Sequence, residues 1–258
     1  TSTGTQDLYA FGADGFTVGS DFQTLCNTNG STFASWNWKA GGAASSNSDG
    51  SITSSVSANT TAGFSIVSYA GSGSAGATVG HGLSQTPDLI IIKNRTAITN
   101  WVVNSPITNS GFTEWALKLD LDQATSTDST IWNNTAPTSS VFTLGTAGES
   151  NRNNPDNYIA YCFHSVEGYS KVGSYTGNGA TDGPFIYTGF KPAFIMVKLV
   201  TAASGYWVMF DNKRDPDNPT GRVFYANETS ISTDVSSYTP YDLLSNGFKS
   251  RIPAGNGN

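Results

Sequence analysis

Polar and apolar residues alternate, or apolar residues run together in short stretches, along most of the chain. The segment EWALKLDLD (114–122) alternates strictly, which is typical of a strand with one buried face. DLIIIK (88–93) and AFIMVK (193–198) are continuous apolar runs, which indicate strands buried on both faces. Clusters of Gly, Asn, Ser and Pro separate these segments, and no helical periodicity persists beyond two turns. The pattern predicts an all-β fold.

The same pattern occurs twice, at an offset of about 106 residues. Matching residues in the two halves include Gly71 and Gly177, Pro87 and Pro192, Trp101 and Trp207, and Phe142 and Phe248. Each copy has the size of one sandwich domain. We therefore expect two tandem antiparallel β-sandwich domains, jelly-roll or lectin-like, that arose by internal duplication. Trp101 and Trp207 should occupy equivalent buried sites.

The repeat divides the chain into an N-terminal segment (1–44), copy one (60–170) and copy two (171–258). Copy one closes with a strand around NYIAYCF, and the second copy lacks this last strand. STFASWNWKA (31–40) resembles the closing strand and is expected to pair with the open edge of copy two. Three arrangements remain open: the protein continues past residue 258, the strand folds back within the chain, or it is donated to a neighbouring chain.

Composition narrows the class of protein. Charged residues make up only 12% of the chain, and the net charge is −6 with no basic cluster, which argues against a nucleic-acid partner. No apolar run is long enough to span a membrane, so we expect no membrane insertion. Two cysteines, Cys26 and Cys162, are too few for a disulfide scaffold, and either one bridge or two thiols is compatible with the sequence.

Several segments resemble an uncharacterised domain of virion proteins of tailed phages, many of them marine or environmental. They are GFSIVSYAGSGSAGATVGHGLSQTPDLIIIKNR, DNYIAYCFHSVEGYSKVGSYTGNG, TGFKPAFIMVK and LLSNGFK, and the resemblance spans about residues 33–250. It implies a β-rich module of large tail-fibre-like proteins, located on the virion surface or otherwise extracellular, and no particular chemistry. Family members usually continue after SNGFK into a final aromatic strand, which supports truncation or strand exchange here.

Aromatic residues that belong to one copy alone are the candidates for ligand binding, since saccharide-binding surfaces use rings as platforms. Trp115 aligns with Gly221, and Trp132 aligns with Tyr238 in a loop-like stretch. We therefore take Trp115, Trp132 and Tyr238 as candidate ligand-binding residues.

The loop DNKRDPDNP (211–219) is the candidate metal site. Asp211, Asp215 and Asp217 supply hard oxygen ligands of the kind that calcium prefers. The loop lacks the glycine and distal glutamate of an EF-hand, and Asx turns account for the same composition without metal. No other cofactor is expected.

Candidate catalytic groups are few. Asp120 and Asp122 share a strand face, as a glycosidase pair would, but their counterparts Ala226 and Glu228 keep only one acid. His81, between two glycines, is expected to cap a turn through a ring nitrogen.

The sequence thus predicts a non-enzymatic virion or fibre surface protein that attaches to host-surface glycan and forms a homo-oligomer or polymer. The alternative is a purely structural subunit of an extracellular filament or decoration layer assembled by β-strand exchange. A glycan hydrolase is the more remote alternative.

Overall fold

The computed structural model describes residues 8–19, 26–105, 115–152, 156–202, 205–229, 233–234 and 241–251. The chain divides into two compact units, Thr1–Asn37 and Trp38–Asn258. In the first unit, β1 (Leu8–Phe11) pairs antiparallel with β2 (Phe16–Val18).

The first part of the second unit contains most of copy one and the residues just before it. Its strands are β3 (Ser45–Asn47), β4 (Ser54–Asn59), β5 (Phe64–Ala70), β6 (Ala77–Gly80), β7 (Leu89–Asn94), β8 (Val102–Asn104), β9 (Trp115–Lys118), β10 (Ser126–Thr127), β11 (Val141–Leu144) and β12 (Asn157–Phe163). The helix α1 (Ser129–Trp132) lies between β10 and β11, and the Asp128 side chain caps it by accepting from Thr130 N at 2.9 Å.

Eight of these strands form one antiparallel sheet in the order β10-β9-β8-β7-β12-β5-β4-β3. The β6–β11 pair and α1 pack on one face of this sheet, so that copy one is a sandwich. The core between the layers includes Val67, Ile90, Trp132, Phe142 and Tyr158, all at most 1% exposed. The all-β expectation is confirmed.

The second part of the unit builds another sandwich from shorter sheets. Its strands are β13 (Phe185–Tyr187), β14 (Phe194–Lys198), β15 (Trp207–Asp211), β16 (Arg222–Tyr225), β17 (Thr233–Asp234), β18 (Tyr241–Leu244) and β19 (Gly247–Ser250). One sheet has the order β14-β15-β16-β17 and the other β13-β19-β18. Phe210, Val223, Tyr241 and Leu243 form the core between them.

The two sandwiches pack face to face. Ile91, Val103 and Leu117, on the outer face of the eight-stranded sheet, form a third apolar cluster with Trp207 of β15. The Trp207 indole Nε1 also donates to Lys118 O at 2.8 Å. Only 4% of Trp207 is exposed, so this contact buries a large apolar surface.

Part of the strand order recurs in both halves. The run β7-β8-β9-β10 recurs as β14-β15-β16-β17, and the β6–β11 pairing recurs as β13–β19. In the described part of the chain, nothing pairs with β14 at the edge where β12 pairs with β7. This agreement is what an internal duplication predicts, although the duplication itself stays an interpretation of the sequence.

Local hydrogen bonds repeat as well. Trp101 N donates to Asp120 Oδ1 at 3.1 Å, and Trp207 N donates to Asn227 Oδ1 at 2.9 Å. The structure therefore matches Asp120 with Asn227, one position later than the sequence offset of 106 predicts.

The expectation that Trp101 and Trp207 are equally buried is wrong. Trp101 is only half-buried and stacks on Tyr161, with ring centroids 6.5 Å apart. Lys93 Nζ lies 5.7 Å from its ring centroid. The two residues have equivalent backbone positions, but Trp207 alone becomes enclosed where the sandwiches meet.

Residues 31–40 form no strand, so the predicted closing strand is absent from this chain. Trp38 instead packs its ring against Phe163 of β12 and Phe194 of β14, at centroid distances of 6.4 and 6.0 Å. Pairing of this segment with a neighbouring chain stays a prediction. The predicted start of copy one at residue 60 is also too late, because β3 and β4 already belong to its sheet.

Both cysteines are thiols rather than a disulfide. Burial raises the pKa of the Cys162 thiol to about 12, because the core does not solvate a thiolate. Cys162 is therefore an unreactive core residue at neutral pH.

The packing between the sandwiches predicts that replacing each of the two equivalent tryptophans by alanine lowers the stability by a different amount. Trp207→Ala should lower the free energy of unfolding by about 3–5 kcal/mol, whereas Trp101→Ala should cost clearly less, because water already reaches part of its ring. Urea unfolding followed by far-UV circular dichroism measures both, and Tyr187→Ala at a 67% exposed site serves as the control. Equal losses at the two tryptophans would contradict the assignment of Trp207 to the inter-sandwich contact.

A polar groove as the candidate binding site

A groove of about 560 Å³ crosses the eight-stranded sheet where β4 begins, β5 ends and β12 begins. Its polar lining includes Ser46, Thr53, Ser55, Ser68, Thr96 and Asn157, with Arg95. This volume falls within the range of about 300–1,000 Å³ that is usual for small-ligand sites.

Strand register brings three serines into one row. Ser46 of β3 lies opposite Ser55 of β4, which lies opposite Ser68 of β5. Val56 and Val67, one residue away, point into the core. Because successive side chains alternate between the faces of a sheet, the three serines point outward together.

Four hydroxyls of the groove have no hydrogen-bond partner among the described residues. Neighbouring serines are engaged: Ser54 donates to Gly80 O at 2.9 Å and Ser57 donates to Gly42 O at 2.7 Å. By contrast, the hydroxyls of Ser46, Thr53, Ser55 and Ser68 make no hydrogen bond with any residue that the structure describes. They are available to a ligand as both donors and acceptors.

A buried asparagine at the end of β7 fixes the turn that brings Arg95 and Thr96 to the groove. Asn94 Oδ1 accepts from Thr96 N and Ala97 N, both at 2.9 Å, and closes an Asx turn. Its Nδ2 donates to Asp156 Oδ2 at 2.8 Å in the protein interior. Thr96 Oγ1 in turn accepts from Asn157 N at 2.9 Å. The turn is therefore fixed to the core on one side and to β12 on the other.

Arg95 is held in this turn by its backbone, since Arg95 N donates to Asn157 O at 2.7 Å. Its side chain is exposed and forms no ion pair within the described ranges. Other arginines do pair with carboxylates, as Arg214 does with Asp211 and Arg251 with Asp242, both at 2.6 Å. The guanidinium therefore gives the groove a local positive charge on a chain of net charge −6.

An aromatic pair lies on the outer face of the same sheet. Burial raises the pKa of the Tyr161 hydroxyl, and the positive charge of Arg95 acts in the opposite direction. Tyr161 is half-buried on the outer face of the sheet and stacks on Trp101. Sequence reasoning treated Trp101 as core and did not consider Tyr161 as a ligand platform.

The aromatic residues that the sequence singled out do not form this site. Trp132 is 1% exposed and packs in the core of copy one, so its ring offers no face to a ligand and that prediction is wrong. Trp115 begins β9, but its side chain lies outside the described part of the structure, as does the whole of Tyr238. Their role in binding stays a prediction.

Two of the three aspartates of the predicted calcium loop, Asp211 and Asp215, are engaged with the protein, and Asp217 is exposed. Asp211 is 5% exposed, pairs with Arg214 and accepts from Lys213 N at 3.0 Å. These contacts outweigh burial and lower the pKa of the Asp211 carboxyl. Asp215 Oδ2 accepts from Gly221 N and Arg222 N. The described residues contain no group of three or more His, Cys, Asp or Glu side chains that could hold a metal ion, so Asp211, Asp215 and Asp217 are not brought together.

The candidate catalytic carboxylates also have structural roles. Asp120 and Asn227 make the same bond to a tryptophan N–H, so the position does not require a carboxylate. Asp120 lines a second cavity, of about 540 Å³, together with Asn227 and Glu228. The backbone carbonyl of Asp122 accepts a hydrogen bond from Gly205 N at 2.9 Å. The structure does not arrange Asp120 and Asp122 as a pair across that cavity.

His81 caps a turn, as the sequence predicts. Its Nδ1 accepts from Leu83 N at 3.2 Å, and Nε2 lies 3.2 Å from Thr138 O, which assigns the proton to Nε2. Burial lowers the pKa of this imidazole, because the interior disfavours its charged form. His81 is therefore a neutral core group at pH 7.

Comparison with known families finds one match, to the model of a domain of unknown function, DUF7483, over residues 1–258. The chain belongs to the DUF7483 family. No curated protein and no solved structure matches it. The described part of this DUF7483 chain contains no helix that is long and apolar enough to cross a membrane. Because the function of this family is unknown, only the residues of the groove indicate what it binds.

Proposed function

We propose that the chain is a non-enzymatic attachment module of a virion, fibre or other extracellular surface, and that it binds host-surface glycan in the polar groove. The observation that carries the proposal is the set of hydroxyls without partners along the row Ser46, Ser55 and Ser68. The resemblance to phage virion domains supports the location.

A saccharide matches the chemistry of this groove. Sugar hydroxyls both donate and accept hydrogen bonds, as the serine and threonine hydroxyls of the lining do. The groove is open to solvent rather than enclosed, which suits one part of a sugar chain better than an enclosed small molecule. The Tyr161–Trp101 pair on the same face of the sheet offers a partly exposed ring surface for the apolar face of a sugar.

The lining favours binding over cleavage. Glycoside hydrolysis normally needs two carboxyl groups on either side of the scissile bond. The described residues that line the groove include no Asp, Glu or His. A single shallow site of this kind binds weakly, so attachment would gain strength from several copies acting together.

Removal of two groove hydroxyls tests the proposal. A tetramerised form of the chain should bind a subset of glycans on an array, and Ser55→Ala with Ser68→Ala should lower that signal by about tenfold or more, because each lost hydrogen bond costs roughly 1 kcal/mol. Ser139→Ala, which makes the same change at an exposed serine outside the groove, should bind like the parent. No signal for the tetramerised parent, or an unchanged signal for the double variant, would refute glycan attachment through this groove.

A structural subunit is the second candidate, and the edge of β14 favours it. Among the described strands, β14 pairs only with β15, whereas its counterpart β7 is flanked by β8 and β12. Exposed strand edges pair readily with other chains. Lys198 would normally protect such an edge, but its amine is turned to Asp122 O at 3.0 Å and to Gly205 O. A filament or decoration layer could therefore assemble by strand addition at β14.

Blocking one backbone donor tests this second candidate. Asn212 N donates to Ala193 O, so alternation along β14 turns the Met196 N–H toward the open edge. If strands add at this edge, the molar mass measured by light scattering should increase with protein concentration, both for the parent and for Met196→Ala. Met196→Pro, which removes that N–H, should stay monomeric. A parent chain that remains monomeric at every concentration would count decisively against strand exchange.

A further inference from the structure

We infer that the groove is selective for acidic saccharides and that Arg95 binds their carboxylate, an inference that rests on the proposed glycan binding. The ligand class is a sugar with a planar carboxylate, such as a hexuronic acid. A neutral sugar would leave the guanidinium without a partner.

The charge of Arg95 is not used by the protein itself. Some other arginines stabilise the chain by contact with acidic side chains, as the Arg214–Asp211 pair shows at 2.6 Å. Asp156, which precedes Asn157 in the sequence, is buried, accepts from Asn94 in the interior and lies 3.8 Å from Arg152 Nε. Among the described residues, no carboxylate oxygen lies within ion-pair distance of Arg95.

The backbone around Arg95 is fixed, although its side chain reaches into solvent. Arg95 N is bonded to Asn157 O at 2.7 Å, and the following residue, Thr96, is held by both Asn94 and Asn157. A guanidinium that projects from a rigid turn loses less freedom on binding than one on a mobile loop. The turn therefore presents the cation to one end of the groove.

Geometry and charge both favour a carboxylated sugar. The guanidinium fork donates two parallel hydrogen bonds to a carboxylate, which a neutral hydroxyl cannot accept in the same way. The hydroxyls of Ser55 and Ser68 lie in the same groove and would take ring hydroxyls of the sugar. The net charge of the chain is −6, so attraction of an anionic glycan must come from a local cation.

The test compares an oligomer of a hexuronic acid with its methyl ester, which has the same shape without the charge, and with an oligosaccharide without carboxylates whose negative charge comes from sulfate esters. Surface plasmon resonance on the tetramerised chain should show that the acid binds about tenfold or more tightly than the ester, as expected for a charge-assisted contact.

The Arg95→Gln variant should bind the acid and the ester equally well. Arg95→Lys should keep part of the preference, because a lysine retains the charge without the fork. Arg222→Gln, at another exposed arginine without an ion pair in the described residues, is the matched control and should behave like the parent.

The outcomes distinguish a failure of this inference from a failure of the proposed function on which it rests. Equal binding of acid and ester by the parent would overturn the role of Arg95 while leaving glycan attachment in place. Preference for the sulfated oligosaccharide alone would overturn the carboxylate assignment. A parent chain that binds none of the three, nor any glycan on an array, would overturn the proposed function and this inference together.

Discussion

The contact between the outer face of the eight-stranded sheet and the sheet of copy two is the constraint on which the rest of the structure depends. It encloses Trp207 against Ile91, Val103 and Leu117. The covering sheet has four strands, so it cannot span all eight strands beneath it. The covered strands carry branched apolar residues on that face, and the strands farthest from the contact carry the serine row. One interface thus explains both the buried tryptophan and the position of the groove.

The fold class could be predicted because alternation and apolar runs report directly on burial. The same signals do not indicate which element covers each face of a sheet. Trp101 and Trp207 have equivalent sequence contexts, yet only Trp207 meets the other sandwich. Trp38 shows the same limit. Alternation in its segment correctly indicates that the ring needs to be buried, but it does not indicate whether a partner strand buries it. Ring contacts with Phe163 and Phe194 meet part of that need without a ladder.

The candidate site was harder to predict than the fold. Ser55 and Ser68 look like an ordinary solvated strand face until the register places them in one row. Arg95 looks like any residue after a strand until the Asn94 turn and Asn157 fix it at the groove. The bond from Asn157 N to Thr96, which helps to fix the turn, joins residues 61 positions apart in the sequence. A pattern read over a few neighbouring residues does not indicate which distant residues come together.

The most direct test of a saccharide site in this groove is backbone NMR during titration with an oligomer of a hexuronic acid. The account predicts that amide shifts change at Ser55, Ser68, Arg95, Thr96 and Asn157 and remain constant around the second cavity at Asp120 and Glu228. Changes confined to that second cavity, or an unchanged spectrum with this and other glycans, would contradict the account.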